Sequence, residues 1–163
     1  MENLCNWEKY SCFGCCGHHY TTEEEVREGI HRNTLNFKSL KNAKDKEEKL
    51  KYLRPCGICH GVIIVDSDGT EKAVCGLHPF QNKGDDLRDA VCDKEYLCKA
   101  FYFFLKVFDD EQRKRFLEFL RAKNADWYEY SIKMDDNSYL NEFLDKEKLK
   151  FDVLDKERYC EGE

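Results

Sequence analysis

Proline is scarce, at 2 in 163 residues, and there is no low-complexity linker and no internal repeat. A repeat array or a string of modules on flexible tethers is thereby excluded. No run approaches the ~18 apolar residues of a membrane span, so no membrane partner is expected. The opening M-E-N-L-C-N-W-E-K-Y has no basic region, no apolar core and no small-residue cleavage site, and the expected location is cytoplasmic. Positive charge is in deficit, with 27 Lys and Arg against 33 Asp and Glu and a net charge of -6. Counterion release needs a basic face, so nucleic acid is not expected as the main partner. Also missing are H-E-x-x-H, a nucleophile elbow, a Walker loop, a glycine-rich dinucleotide fingerprint and the C-x3-C-x2-C run of radical enzymes. No named catalytic class is legible, and whether the protein is an enzyme stays open.

What the chain has in excess is cysteine. The 10 cysteines are Cys5, Cys12, Cys15, Cys16, Cys56, Cys59, Cys75, Cys92, Cys98 and Cys160, and all but the last precede Phe101. In a reducing cytosol such numbers point to metal ligands or redox groups; the disulfide-rich proteins of hyperthermophiles are the alternative that a charged, proline-poor chain leaves open. A length of 163 residues suits one good core. The expected fold is α+β and mostly α: a small cysteine-rich, metal-binding part with a β-hairpin, packed on C-terminal helices. The expected division is 1–98 and 99–163, or the two as one compact domain.

Local signals place the elements. Thr22 with Glu25 three residues later is a capping box opening a helix, with Val26, Ile30 and Phe37 as its buried side. The charged stretch Lys38 to Lys51 predicts a solvated helix or helix plus loop. Arg54-Pro55 stops it. Val62 to Val65 is a β-branched strand, Asp66-Ser67-Asp68-Gly69 a turn, and Glu71 to Cys75 the returning strand, so Cys56 and Cys59 come back near Cys75 in the manner of a metal knuckle. Asp93 can cap a helix with Leu97, Phe101, Phe104, Leu105 and Phe108 on one face. Further helices are predicted at Glu111 to Lys123, Trp127 to Met134 and Ser138 to Lys150, their aromatic stripes serving as core.

Cys56-Gly-Ile-Cys59-His60 fits three patterns. As C-x-x-C-H it matches covalent haem attachment, which normally follows export. As C-x-x-C it matches a dithiol redox motif, but a strand follows where the helix that lowers the thiol pKa should be. As a chelating pair it places two thiolates for one tetrahedral ion, and Cys12 and Cys15 repeat the spacing. Side chains of neighbours such as Cys15 and Cys16 diverge in extended backbone, which suits a cluster or two nearby metals better than one ion. The candidate ligands are Cys12, Cys15, Cys16, Cys56, Cys59, Cys75, Cys92 and Cys98, with Cys98 equally suited to packing on its helix. His60 and His78 are the weaker candidates, His18 and His19 possible additions. The spacing commits neither Cys5 nor Cys160.

Together these residues resemble the YkgJ-type cysteine-cluster family, described as a zinc- or iron-chelating domain. Cys12-Phe-Gly-Cys15-Cys16 resembles the last three cysteines of that family's C-x-x-C-x-x-C-C run. Thr21-Thr22-Glu23-Glu24-Glu25 resembles the acidic helix opening, and Cys75-Gly-Leu-His78-Pro79 the later C-x-[IL]-[HY] element. The resemblance spans about Tyr10 to Cys98. It departs at Lys9, where the family has its first cysteine, and at Leu87-Arg88-Asp89 before Cys92, the nearest equivalent of an Arg-Pro preceding a cysteine. It implies a metal centre rather than a reaction. The expected function is a metal-binding protein holding an iron–sulfur cluster or zinc, with a protein partner possible. The alternative is a redox or metal-transfer protein using the same centre.

Overall fold

The computed structural model describes residues 3–40, 53–88, 92–93 and 96–149. The fold is α+β and mostly helical, with two small antiparallel hairpins. Two compact units divide the chain, Met1–Tyr96 with Ala125–Ile132, and Leu97–Asn124 with Lys133–Glu163. Most of the predicted Lys38 to Lys51 segment and Cys160 lie outside the described residues.

In the first unit, β1 (Asn6–Trp7) and β2 (Tyr10–Ser11) form a short hairpin that no sequence signal predicts. Aromatic packing holds it: Trp7 stacks on Tyr10 at 4.9 Å, Tyr10 lies 5.1 Å from Tyr130, and the Trp7 indole donates to the Tyr130 hydroxyl at 3.0 Å. Helix α1 (Glu23–Lys38) starts where the capping box predicts, with Thr22 Oγ1 accepting from the Glu25 N–H. The Glu25 carboxylate accepts from the Thr21 hydroxyl and the Thr22 backbone, which holds it below its ordinary pKa.

Strands β3 (Val62–Ser67) and β4 (Thr70–Cys75) pair from Val62↔Cys75 to Ser67↔Thr70. Their loop is Asp68-Gly69, both with positive φ, as a two-residue hairpin turn requires. Thr34 ties α1 to this hairpin: its hydroxyl accepts from the Ile64 N–H at 2.8 Å and donates to the Ile30 carbonyl. Phe13, Val26, Ile30, Ile58, Val62 and Trp127 fill the core between them.

The second unit holds α2 (Lys99–Tyr102), α3 (Asp110–Lys123) and α5 (Ser138–Lys146), while α4 (Trp127–Asp135) begins in the first. Asp93 caps no described helix: regular structure begins at Lys99, after Cys98. α2 then widens into a π-helical turn over Phe103–Val107, closed by Phe108 N–H on the Phe103 carbonyl. The extra residue in that turn lets both Phe104 and Phe108 meet Phe116, at 6.4 and 5.6 Å. Phe143 and Phe119 complete this cluster, so the predicted stripes are core.

Candidate metal centre

The site is assembled by three short backbone segments of the first unit. The turn Phe13 to Cys16, closed by Cys16 N–H on the Phe13 carbonyl at 2.6 Å, is held from outside by the Tyr20 hydroxyl on the Gly14 carbonyl at 2.9 Å. The loop Arg54 to Cys59 folds back on itself, with Gly57 N–H on the Arg54 carbonyl and Arg54 N–H on the Ile58 carbonyl, each 2.8 Å. An antiparallel bridge between Gly17 and Ile58 joins the two, flanked by Cys59 N–H on the Cys16 carbonyl at 2.7 Å and His18 N–H on the Gly57 carbonyl at 3.1 Å. Cys16 and Cys59 are thus cross-strand partners. The close approach demands glycine: a Cβ on Gly17 would lie 2.2 Å from the Gly57 carbonyl oxygen, and one on Gly57 2.3 Å from that of His18.

The third segment is the end of β4. Val62 N–H reaches the Cys59 carbonyl, Gly76 N–H reaches the Gly61 carbonyl, and Val62 is paired with Cys75. The hairpin therefore delivers Cys75 to the Cys16–Cys59 pair, while Cys56, expected beside it as well, packs into the core.

Sulfur contacts follow from this backbone. The Cys16 thiol is hydrogen-bonded to both Cys15 and Cys75. Those bonds and burial push Cys16 well above the ordinary thiol range. The same bond from Cys16, with backbone N–H donors of Leu77 and His78 and the nearby Arg88 guanidinium, outweighs burial at Cys75 and brings it to about 7. Cys59 receives the Gly61 N–H at 3.3 Å, yet burial and the neighbouring Cys75 and Cys15 thiols raise it. Cys92 stands exposed at the rim; desolvation, then Cys75, lift it to about 11, with Arg88 pulling the other way. Cys15, although next in sequence to Cys16, meets it because the pair sits in a turn and not in extended chain.

The remaining candidates have local surroundings of their own. Cys56 is 8% exposed within the core, and a Cβ on Gly29 of α1 would come 2.8 Å from its sulfur. Cys12 is opposite Cys5 on the β1–β2 hairpin, its N–H on the Cys5 carbonyl and its sulfur accepting from the Gly14 N–H at 3.4 Å. Cys98 precedes α2 in the second unit. His60 is half-buried, its pKa lowered by burial and Arg54. His78 caps the 3-10 turn Pro79–Gln81: its Nδ1 accepts from the Phe80 N–H, and its ring stacks on Phe80 at 4.6 Å. Burial and Arg88 favour its neutral form. Among the described residues, no three His, Cys, Asp or Glu side chains already converge on one coordinating position.

Two supporting residues carry no motif in the sequence. Asn33, 1% exposed, donates to the Cys59 carbonyl at 2.8 Å and accepts from Arg54 Nε at 2.5 Å, clamping the cysteine loop to α1. Its one signal is a polar residue seven after Val26, on the apolar stripe of a helix. Arg88, paired through two bonds with Asp86 at 2.9 and 2.7 Å, is the cation beside Cys75 and Cys92. No family model matches the chain, and no curated protein and no solved structure is significantly similar to it.

Proposed function

We propose that the chain is a metal-binding protein whose Cys15, Cys16, Cys59 and Cys75 hold zinc or an iron–sulfur cluster, with Cys92 at the rim. The observation that carries this reading is the backbone that gathers the thiols: the Gly17–Ile58 bridge sets Cys16 opposite Cys59, β4 ends at Cys75 beside them, and the Gly61 N–H points at the Cys59 sulfur at 3.3 Å. Cys75, lowered to about 7, is the thiol whose surroundings favour the thiolate that binds metal, and Cys16 and Cys59 would release their protons as the metal binds. Four soft thiolates suit both zinc and iron–sulfur chemistry. Binding would exchange S–H···S contacts for S–metal bonds by rotation of the thiol side chains between staggered positions. The likeness to the cysteine-cluster family, in Cys12-Phe-Gly-Cys15-Cys16 and Cys75-Gly-Leu-His78, supports the same reading, and a reducing cytoplasmic setting belongs to it.

Metal analysis and an absorption spectrum of protein purified without oxygen test it. Zinc in stoichiometric amount, or broad absorbance near about 400 nm with acid-labile sulfide, is the expected result. Cys16→Ser and Cys75→Ser should lose the metal, and Cys56→Ser should keep it. A folded chain that is metal-free and takes up neither zinc nor iron and sulfide overturns the proposal.

The Cys16 to Cys75 thiol contact favours a second reading, a dithiol pair that a low-molecular-weight disulfide oxidises to an intramolecular disulfide. That reading requires metal-free protein to lose two thiols, one from each of these residues, on mild oxidation.

A further inference from the structure

His18 and His19 take no part in the thiol cluster. Both are exposed, and no hydrogen bond or ion pair engages either ring among the described residues. Neighbouring side chains in extended backbone point apart. Here His19 takes the left-handed conformation, φ +51, and the two rings come to 4.9 Å between centroids at 59°. The backbone that sets this pose is fixed: His18 N–H is bonded to the Gly57 carbonyl, and the approach is so close that a Cβ on Gly57 would lie 2.3 and 2.9 Å from the carbonyl oxygens of His18 and His19.

That separation is one that two imidazoles sharing a metal ion can adopt. With Zn–N bonds of about 2.0–2.1 Å, a ring centre lies about 3.2 Å from the metal, so two imidazoles on one ion stand about 4.5–5.2 Å apart for bond angles between square and tetrahedral. The observed 4.9 Å falls inside that window. Imidazole nitrogen binds zinc and neighbouring divalent ions well, and solvent can fill the other positions. His18 follows Cys16 by two residues, and its own backbone N–H belongs to the bridge that pairs Cys16 with Cys59.

We propose that His18 and His19 form a second, solvent-facing metal site, a two-imidazole port that captures a divalent ion such as Zn2+ and passes it to the cysteine cluster. The transfer half of this proposal rests on the thiolate site proposed above; the capture half does not. Capture raises the local concentration of metal beside the thiols, which converts loading from a bimolecular encounter into a short intramolecular step.

The test is a Zn2+ titration of the full, reduced chain followed by NMR of the histidine rings, with stopped-flow loading of the cysteines in parallel. The His18 and His19 ring signals should shift or broaden while that of His31 on α1 stays, and His18→Gln with His19→Gln should abolish that binding. In the doubly substituted chain, loading of the cysteines should slow by about tenfold at unchanged final occupancy, as loss of a local metal reservoir requires. Ring signals that ignore Zn2+ overturn the port. Ring binding with unaltered loading overturns the transfer role. Ring binding in a chain whose cysteines never take metal overturns the thiolate reading and the transfer with it, and leaves the capture site standing.

Discussion

A single side chain, Asn33, ties the cysteine loop to α1. It is buried, and removing its amide leaves the Cys59 carbonyl and Arg54 Nε, both partly buried, short of a partner. Asn33→Ala should therefore cost about 1–3 kcal/mol, read as a lower urea midpoint with unchanged slope. Metal should also leave the variant more readily, because Cys59 loses its anchor. An unchanged midpoint would sink this account. Arg88 acts differently. It is a half-buried cation beside Cys75 and Cys92 whose pairing with Asp86 is worth at most about 1 kcal/mol to the fold. Arg88→Gln should barely move the unfolding midpoint yet weaken metal retention several-fold in a chelator competition, since gathered thiolates lose their nearest positive charge. Equal retention in both chains would remove Arg88 from the site. Neither role was legible in the sequence, and the reason is physical: Cys56 and Cys59 share one motif, but Gly29 opens space on α1 for the first, and the bridge to Cys16 turns the second outward to Cys75. Spacing defines which thiols could chelate; packing from distant segments decides which of them come together.

Elements whose signals are local were readable. The Thr22–Glu25 capping box, the Asp68-Gly69 turn and the strand ending at Cys75 all stand where residue chemistry puts them, because each depends on near neighbours in the chain. The β1–β2 hairpin was not readable: two-residue strands carry no periodicity, and this one is held by Tyr130, more than a hundred residues away. The π-helical turn at Phe103 was hidden by a run so apolar that several registers look alike. The start of α4 joins both kinds of information. Asp126 accepts the Tyr128 and Glu129 N–H groups at 3.0 and 2.9 Å as a local cap, while Arg27 of α1 pairs with it and covers the Trp127 and Tyr128 rings. Burial opposes ionisation of Asp126, but the Glu129 N–H and the Arg27 guanidinium together hold it below its ordinary 3.8. A carboxylate whose pKa is lower folded than unfolded stabilises fully above the unfolded value and loses that contribution as pH falls through the folded one. Asp126→Asn should thus lower Tm at neutral pH and show a shallower loss below about pH 4, the two curves closing on each other in acid. Parallel curves down to the lowest pH would mean that the charge on Asp126 contributes nothing.

At the scale of the whole chain, the cysteine chemistry lies early and the aromatic helices late, a contrast that composition alone makes plain. What composition could not reveal is that the first unit is discontinuous. Ala125–Ile132 returns to it, and this return supplies structural parts that no residue before Cys98 replaces. Trp127 enters the core beside Phe13 and Val26, the Ser131 hydroxyl accepts from the Phe13 N–H at 3.0 Å, and Tyr130 bonds both Trp7 and the Leu4 carbonyl. Phe13 opens the turn that carries Cys15 and Cys16, so the candidate site depends on a segment far from every cysteine in it. A fragment ending at Cys98 should consequently fail to fold: it exposes a core face sized for an indole and leaves the Phe13 N–H without its partner, a buried loss of about 1–3 kcal/mol before the lost apolar burial is counted. Circular dichroism and proton NMR of the fragment read this directly, and addition of a peptide spanning residues 123–135 should restore part of the helical signal and the dispersion of the Trp7 indole resonance. A fragment that folds alone and gathers its thiols without that peptide would show that the cysteine-rich half is self-sufficient, and Trp127, Tyr130 and Ser131 would lose their part in shaping the site.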